Sequence, residues 1–283
     1  MPPTNPATNG AAAGPGETSE MDHSADAQRQ RFRLGKISAD VLDLRQAVDR
    51  IESLIDAGKG GAIFTPNVDH VVNAERVPAL GAAYGRADLC LADGMPLVWA
   101  SRLLGPRLPE RVAGSDLSGP LLERAGARGW SVFLLGGAAD SASVAAATLA
   151  ARGVRVVGWD SARVEADGTA PEAVLTRLAE AAPQLLLVGL GSPKQELFID
   201  RSRHRLATTV SFACGAVIDF LAGRVPRAPD WVARAGLEWA YRLFREPRRL
   251  WRRYLVNDPR FVAVLARELV RHRLPGPRDK GLD

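Results

Sequence analysis

Cysteine is scarce in this sequence: Cys90 and Cys214 are the only two in 283 residues, each inside an apolar run. Two such thiols exclude a disulfide framework and a cysteine-rich metal site, and they fit a reduced cytoplasmic setting. Long apolar runs are lacking as well. The uncharged apolar stretch 206–218 has only 13 residues and includes two threonines and a serine, whereas a spanning helix needs about 20 apolar residues. Mean hydropathy of −0.07 excludes a polytopic membrane protein. No basic-then-apolar leader opens the chain, which argues against secretion. There is no G-x-G-x-x-G fingerprint and no Walker A sequence, which weakens NAD and ATP readings. Asp-x-Asp is missing too, and with it the usual carboxylate clamp for a divalent cation on a nucleotide diphosphate. His70 and His204 stand alone in helix-like contexts and read as structural or solvated. The expectation is a protein with no metal and no cofactor, and no Ser-His or Cys-His pair is visible to supply a covalent nucleophile.

What is present is an ordinary core-forming composition, 46% hydrophobic and 24% charged, enough for one large domain or two small ones. Residues 1–32 are rich in Pro, Gly, Ala, Ser and Thr and read as a disordered extension. Residues 33–222 read as an α/β core. Short apolar runs predict strands at 62–65, 89–92, 131–135, 155–157, 185–189 and 209–213. Amphipathic stretches between them predict helices at 43–57, 69–84, 116–127, 141–151, 171–181 and 195–203. Continuous apolar strands alternating with helices predict a Rossmann-like, mostly parallel sheet covered on both faces. In such sheets ligands bind at the loops leaving the strands' carboxyl ends.

Residues 223–283 differ in character and read as a basic helical appendage. Between Arg224 and Arg273 stand 13 arginines against five acids, a local charge of +8 within a chain whose net charge is +5. That imbalance points to an anionic partner, a membrane surface or a nucleic acid. Arg242, Arg245, Arg249 and Arg252 are spaced as one helical face, although Pro247 interrupts them and implies two helices or a kinked one. Trp239, Leu243, Leu250, Trp251 and Leu255 add aromatic and apolar surface suited to a bilayer interface. Self-association could bury the same aromatics in the absence of a membrane.

Candidate site residues lie at the predicted strand ends. Thr65 and Asn67 follow the first strand, where Asn67 or Asp69 also fits a helix cap. Asp93, beside Gly94, ends the second. A carboxylate held there could take a proton from a sugar hydroxyl, and Asp-Gly is equally a common turn. Arg111 precedes a loop feeding a helix, where a guanidinium could meet a diphosphate, with Ser115 or Asp116 as a possible cap. Gly136 and Gly137 end the third strand and would let backbone approach a phosphate. Gly191, Lys194 and Gln195 form a second candidate anion or sugar pocket, or else a solvated first turn with Glu196. Asp219 follows the last strand as an arginine partner or a ligand contact.

Taken together, Thr65-Pro66-Asn67, Ala92-Asp93-Gly94, the run Glu110 to Asp116, the run Gly191 to Glu196, and the tail Arg227-Ala228-Pro229 with Glu238-Trp239 and Arg242 resemble the WecG/TagA/CpsF family of bacterial glycosyltransferases. The resemblance spans 37–254. It implies inverting, metal-independent transfer of N-acetylmannosamine or a related hexose from a UDP-sugar to a polyprenyl-diphosphate-linked sugar, for cell-surface polysaccharide or teichoic-acid-type synthesis. It implies peripheral attachment to the inner face of the cell membrane, with Asp93 as catalytic base and Thr65 and Asn67 around the acceptor sugar. Arg111, Gln195 and Asp219 would line the pocket, and Arg242, Arg249 and Arg252 would reach the lipid diphosphate. The N-terminal extension is a departure, since the family does not require it. A nucleic-acid-binding α/β protein is the competing reading of the arginine tail, but it leaves the strand-end clusters unused. A nicotinamide-dependent dehydrogenase lacks its glycine fingerprint.

Overall fold

Alternating apolar runs and amphipathic stretches fold, in the computed structural model, into a parallel sheet with helices on both faces. Residues 30–138, 140–225 and 258–273 are described. The chain enters through an antiparallel hairpin, β1 (Arg31–Leu34) and β2 (Ile37–Asp40), whose turn uses Gly35 at φ 59°. Asp40 anchors it: the buried carboxylate accepts Arg31 Nε at 2.9 Å and the Cys90 backbone N–H at 2.8 Å.

The main sheet has six parallel strands, β3 (Gly61–Phe64), β4 (Leu89–Cys90), β5 (Ser131–Gly136), β6 (Arg155–Asp160), β7 (Leu185–Gly189) and β8 (Val210–Ala213), in the order β4-β3-β8-β7-β5-β6. Successive side chains leave a strand on opposite faces, and both faces are buried here. Val132 and Leu134 of β5 and Leu185 and Leu187 of β7 pack with α1 (Leu44–Asp56), α5 (Gly114–Arg128), α6 (Ser141–Ala151) and α9 (Val217–Leu221). Phe133, Leu135, Leu186 and Val188 face the other layer, α2 (Val68–Arg76), α3 (Pro78–Gly85), α4 (Met95–Leu104), α7 (Glu172–Ala181), α8 (Lys194–Ser202) and α10 (Asp258–Arg273). Each such fully buried Leu or Phe contributes about 1.5–3 kcal/mol, so continuous apolar strands are what a twice-covered sheet requires.

The α/β class and the parallel sheet agree with the sequence, and three details differ. The single helix expected at 69–84 is two, because Val77 precedes Pro78, which disfavours helical backbone in the preceding residue; Val77 sits at φ −113° and ψ 98°. Helices α4 and α9 and the β1–β2 hairpin were not expected. Of the basic tail, residues 223–225 and α10 lie among the described residues. Its Phe261 and Val264 enter the same hydrophobic layer as Phe32 and Leu34, and Arg267 bonds Glu75 of α2 at 2.9 Å. Among the described residues no helix is long and apolar enough to cross a membrane.

Strands β3 and β4 step toward one edge, β5 and β6 toward the other, and β8 and β7 fill the middle. The carboxyl ends of these parallel strands all lie at the same end of the sheet, and it is there that open α/β sheets form the crevice that binds their ligands.

Candidate active site

Backbone pairing continues past the strands and stitches the motif loops together. Leu91 N–H donates to Phe64 O at 2.9 Å, Asp93 N–H to Pro66 O at 2.8 Å, and Val112 N–H to Ala92 O at 2.9 Å. The Thr65–Asn67 turn, Asp93 and the Arg111 loop are thus parallel neighbours, though they are far apart in sequence. Gly114, opening α5, packs so close to Thr65 that an added Cβ would lie 3.1 Å from Thr65 Oγ1.

Asp93 is 30% exposed at the crevice mouth, with Arg111 Nη1 at 3.8 Å from its Oδ1. The second arm of the guanidinium, Nη2, donates to Asp116 Oδ2 at 2.6 Å. Arg111 therefore bridges two carboxylates and sets their spacing. Neither Ser115 nor Asp116 caps α5, whose N-cap is Ala113. Asn67 does cap α2, since its Oδ1 accepts the Asp69 N–H at 3.1 Å. The same oxygen lies 2.8 Å from His70 Nδ1.

The other half of the crevice is made of backbone. Gly136 pairs with Gly189, and Gly137 N–H donates to Gly189 O at 2.9 Å. Gly136 and Gly137 adopt φ 101° and 83°, where only glycine is unstrained. A Cβ on Gly136 would lie 2.7 Å from Gly189 O, and one on Gly137 2.9 Å from Ile218 Cγ2. Asp219 pins this turn: its Oδ1 accepts the Ala138 N–H at 2.8 Å, so among the described residues it holds backbone rather than an arginine. Gly191 also has positive φ, 73°, and is followed by a cis Ser192–Pro193 peptide before α8 begins.

The first turn of α8 is not the solvated Lys-Gln-Glu turn that its polarity suggests. Gln195 and Glu196 are buried, Glu196 to 1% exposure. Gln195 Nε2 donates to Glu196 Oε1 at 2.9 Å while its Oε1 accepts the Gly215 N–H at 3.1 Å, tying α8 to the loop after β8. Lys194 turns elsewhere and hydrogen-bonds Val164 O at 3.4 Å, so the structure does not gather it with Asp93. Arg242, Arg249 and Arg252 lie outside the described residues. Cys214, also at the end of β8, is buried, and burial pushes its thiol up to about 12; it is no nucleophile at neutral pH.

Of the two expectations for His70, structural or solvated, the structure fits the first: it is 8% exposed and spans Asn67 and Glu196, with Nε2 at 3.5 Å from Glu196 Oε1. Three-residue spacing from Asn67 was the available signal, since it puts His70 over the cap of α2.

The profile of the glycosyl transferase WecG/TagA/CpsF family matches residues 32–275. A Bacillus spizizenii (strain ATCC 23059 / NRRL B-14472 / W23) protein named N-acetylglucosaminyldiphosphoundecaprenol N-acetyl-beta-D-mannosaminyltransferase is 34% identical over 233 residues, 80% of this chain and 87% of that protein. Its namesake from Bacillus subtilis (strain 168) is 31% identical over 229 residues, with the same coverage. With its parallel sheet and strand-end motifs, the chain belongs to the WecG/TagA/CpsF glycosyl transferase family.

Proposed function

We propose that this protein transfers N-acetylmannosamine, or a related hexose, from a UDP-sugar to an N-acetylglucosamine carried on a polyprenyl diphosphate. The observation that carries the reading is the partly exposed Asp93 carboxylate, whose backbone N–H bonds Pro66 beside Asn67 and whose side chain faces the Arg111 guanidinium.

In this reading Asp93 takes the proton of an acceptor hydroxyl. The hydroxyl oxygen forms a bond to the donor's anomeric carbon, and the bond from that carbon to the UDP oxygen breaks with its electron pair. One base suffices, and the sugar inverts because attack and departure occupy opposite faces. Such a base contributes about 10²- to 10⁴-fold in rate. Thr65 and Asn67 border the acceptor sugar. The bare backbone at Gly136 and Gly137, with Gly191 and the Asp219-pinned turn, receives the donor, as glycines admit phosphate to backbone N–H groups. Arg111 offsets negative charge developing on the leaving diphosphate. Gln195 acts from beneath, as both ends of its amide are bonded within the protein.

Residues 33–222 would form the catalytic core and 223–283 the part that meets the membrane. Arg242, Arg249 and Arg252 would hold the lipid-linked diphosphate at the inner face of the cell membrane, each arginine near an anionic leaflet being worth about 1 kcal/mol. The same aromatic tail is the natural seat of self-association away from lipid. Nucleic acid is not the favoured partner, since it gives the Asp93 cluster no task.

The test is a panel of UDP-sugars incubated with a short polyprenyl-diphosphate N-acetylglucosamine. Extended product with UDP-N-acetylmannosamine or a related donor is expected; no product from any donor contradicts the reading. Membrane attachment is tested on the full chain by co-sedimentation with anionic vesicles. Truncation would remove α10 and its core residues Phe261 and Val264, so Arg242, Arg249 and Arg252 are replaced by Glu instead. Loss of sedimentation is expected, and unchanged sedimentation contradicts it.

A further inference from the structure

Glu196 is a carboxylate in an unusual place. It is 1% exposed, and among the described residues its Oε2 has no hydrogen-bond partner. Burying a carboxylate costs several kcal/mol unless it is paired and bonded, and a helix packing on a sheet has no need of one. Burial by itself would raise its pKa. The bond and charge of His70, together with the Gln195 amide, outweigh that and hold the carboxyl below its ordinary range. The group is therefore anionic, and its charge is directed at one oxygen. Oε1 takes Gln195 Nε2 at 2.9 Å and faces His70 Nε2 at 3.5 Å.

Both contacts lead to the crevice. Through His70 the line runs to Asn67, whose Oδ1 is 2.8 Å from Nδ1. Nδ1 also accepts the Asn67 backbone N–H at 3.2 Å, so the ring grips this residue at its backbone while Nε2 faces Glu196, as a carboxylate-backed histidine does. The Asn67 amide oxygen is turned inward, toward this ring and the Asp69 N–H. Through Gln195 the line runs to Gly215 N–H at 3.1 Å, at the carboxyl end of β8. Tyr84 stacks edge-on beside His70, ring centroids 6.3 Å apart, and closes off that side of the imidazole.

We infer that Glu196 and His70 form a buried positioning pair beneath the crevice floor, which orients Asn67 for the acceptor sugar. Neither is a catalytic residue; both act through Asn67. The inference rests on the reading of Asn67 as an acceptor-side residue.

The test is a double-mutant cycle on the full chain, with Glu196→Gln, Asn67→Ala and the pair, reading kcat/KM for the polyprenyl-diphosphate acceptor and, separately, donor affinity. Glu196→Gln keeps volume and removes the charge. It is expected to lower acceptor kcat/KM by about 10²-fold, the scale of a roughly 1 Å misplacement, and to leave donor affinity within about twofold. In the Asn67→Ala background the same substitution is expected to cost less than about threefold, because the residue it acts through is already gone. A full loss in both backgrounds, or a loss confined to donor affinity, overturns the inference. Should Glu196→Gln not fold, His70→Gln enters the same cycle with the same expectations. A wild-type protein that transfers nothing would instead refute the proposed function, which keeps the two failures apart.

Discussion

The two halves of the crevice are built from different materials. At β3 and β4 the strand ends present side chains: Asp93, Arg111, Asp116 and Asn67, held by ion pairs and amide bonds. At β5 and β7 they present almost nothing but backbone, with Gly136 and Gly137 in conformations and spaces closed to other residues. A side-chain surface can move a proton, and a backbone surface can hold a phosphate without competing for it. On the proposed reading the asymmetry would divide the labour of sugar transfer, acceptor activation on one side and donor binding on the other, with Arg111 reaching across to the leaving diphosphate. It also predicts that damage to each half will read out differently.

Asp93→Asn has the largest expected effect: transfer falls by about 10²- to 10⁴-fold while UDP-sugar affinity by calorimetry stays within about twofold. Equal losses in both would erase the distinction. Gly137→Val should do the reverse. It forces a branched side chain into φ 83° and against Ile218, a strain of about 1–3 kcal/mol, so donor affinity drops about tenfold or more and thermal stability falls with it. Retained donor affinity would show that the glycine turn does not receive the donor. Arg111→Lys is milder. A lysine cannot span Asp93 and Asp116 as a guanidinium fork does, and a loss of about tenfold in acceptor kcat/KM is expected with unchanged folding by circular dichroism. Smallest is the response of Cys214, at the seam of the two halves. With its thiol near 12, only about one molecule in 10⁴ is thiolate at pH 8. Native protein should therefore label far more slowly with a thiol reagent than unfolded protein; equal rates would mean that this seam is open.

Much of the scaffold was legible because it obeys one local rule. Strand β7, Leu185–Gly189, and helix α6, Ser141–Ala151, stand where periodicity and apolar content put them. The hairpin escaped because four-residue strands around Gly35 alternate too briefly to stand out from their polar neighbours, yet Phe32, Leu34, Ile37 and Ala39 are all buried. Helix α4 escaped because Pro96, next to a Gly-Met, reads as a loop, whereas proline in the first turn of a helix is tolerated. The strand order was not legible, since nothing local announces that β8 inserts beside β3.

The site divides the same way. Asp93, Asn67 and Asp219 could be singled out because polar residues at the ends of apolar strands are visible in one dimension. What they do was less visible: Asp219 turns out to accept a backbone N–H of the glycine turn. Glu196 and His70 could not be placed, because a polar first turn looks solvated until the fold buries it. Their pairing spans 126 positions and exists only through the docking of α8 and α2 against the sheet.

The central claim, that a lone carboxylate at the end of β4 drives a single direct displacement, is tested most directly by the anomeric configuration of the product. A donor of α configuration should give a β-linked disaccharide on the polyprenyl diphosphate, read from the one-bond carbon–proton coupling at the new anomeric centre by NMR. An α-linked product would mean retention, a second displacement and a different nucleophile, and it would contradict the assignment of Asp93 as the sole base.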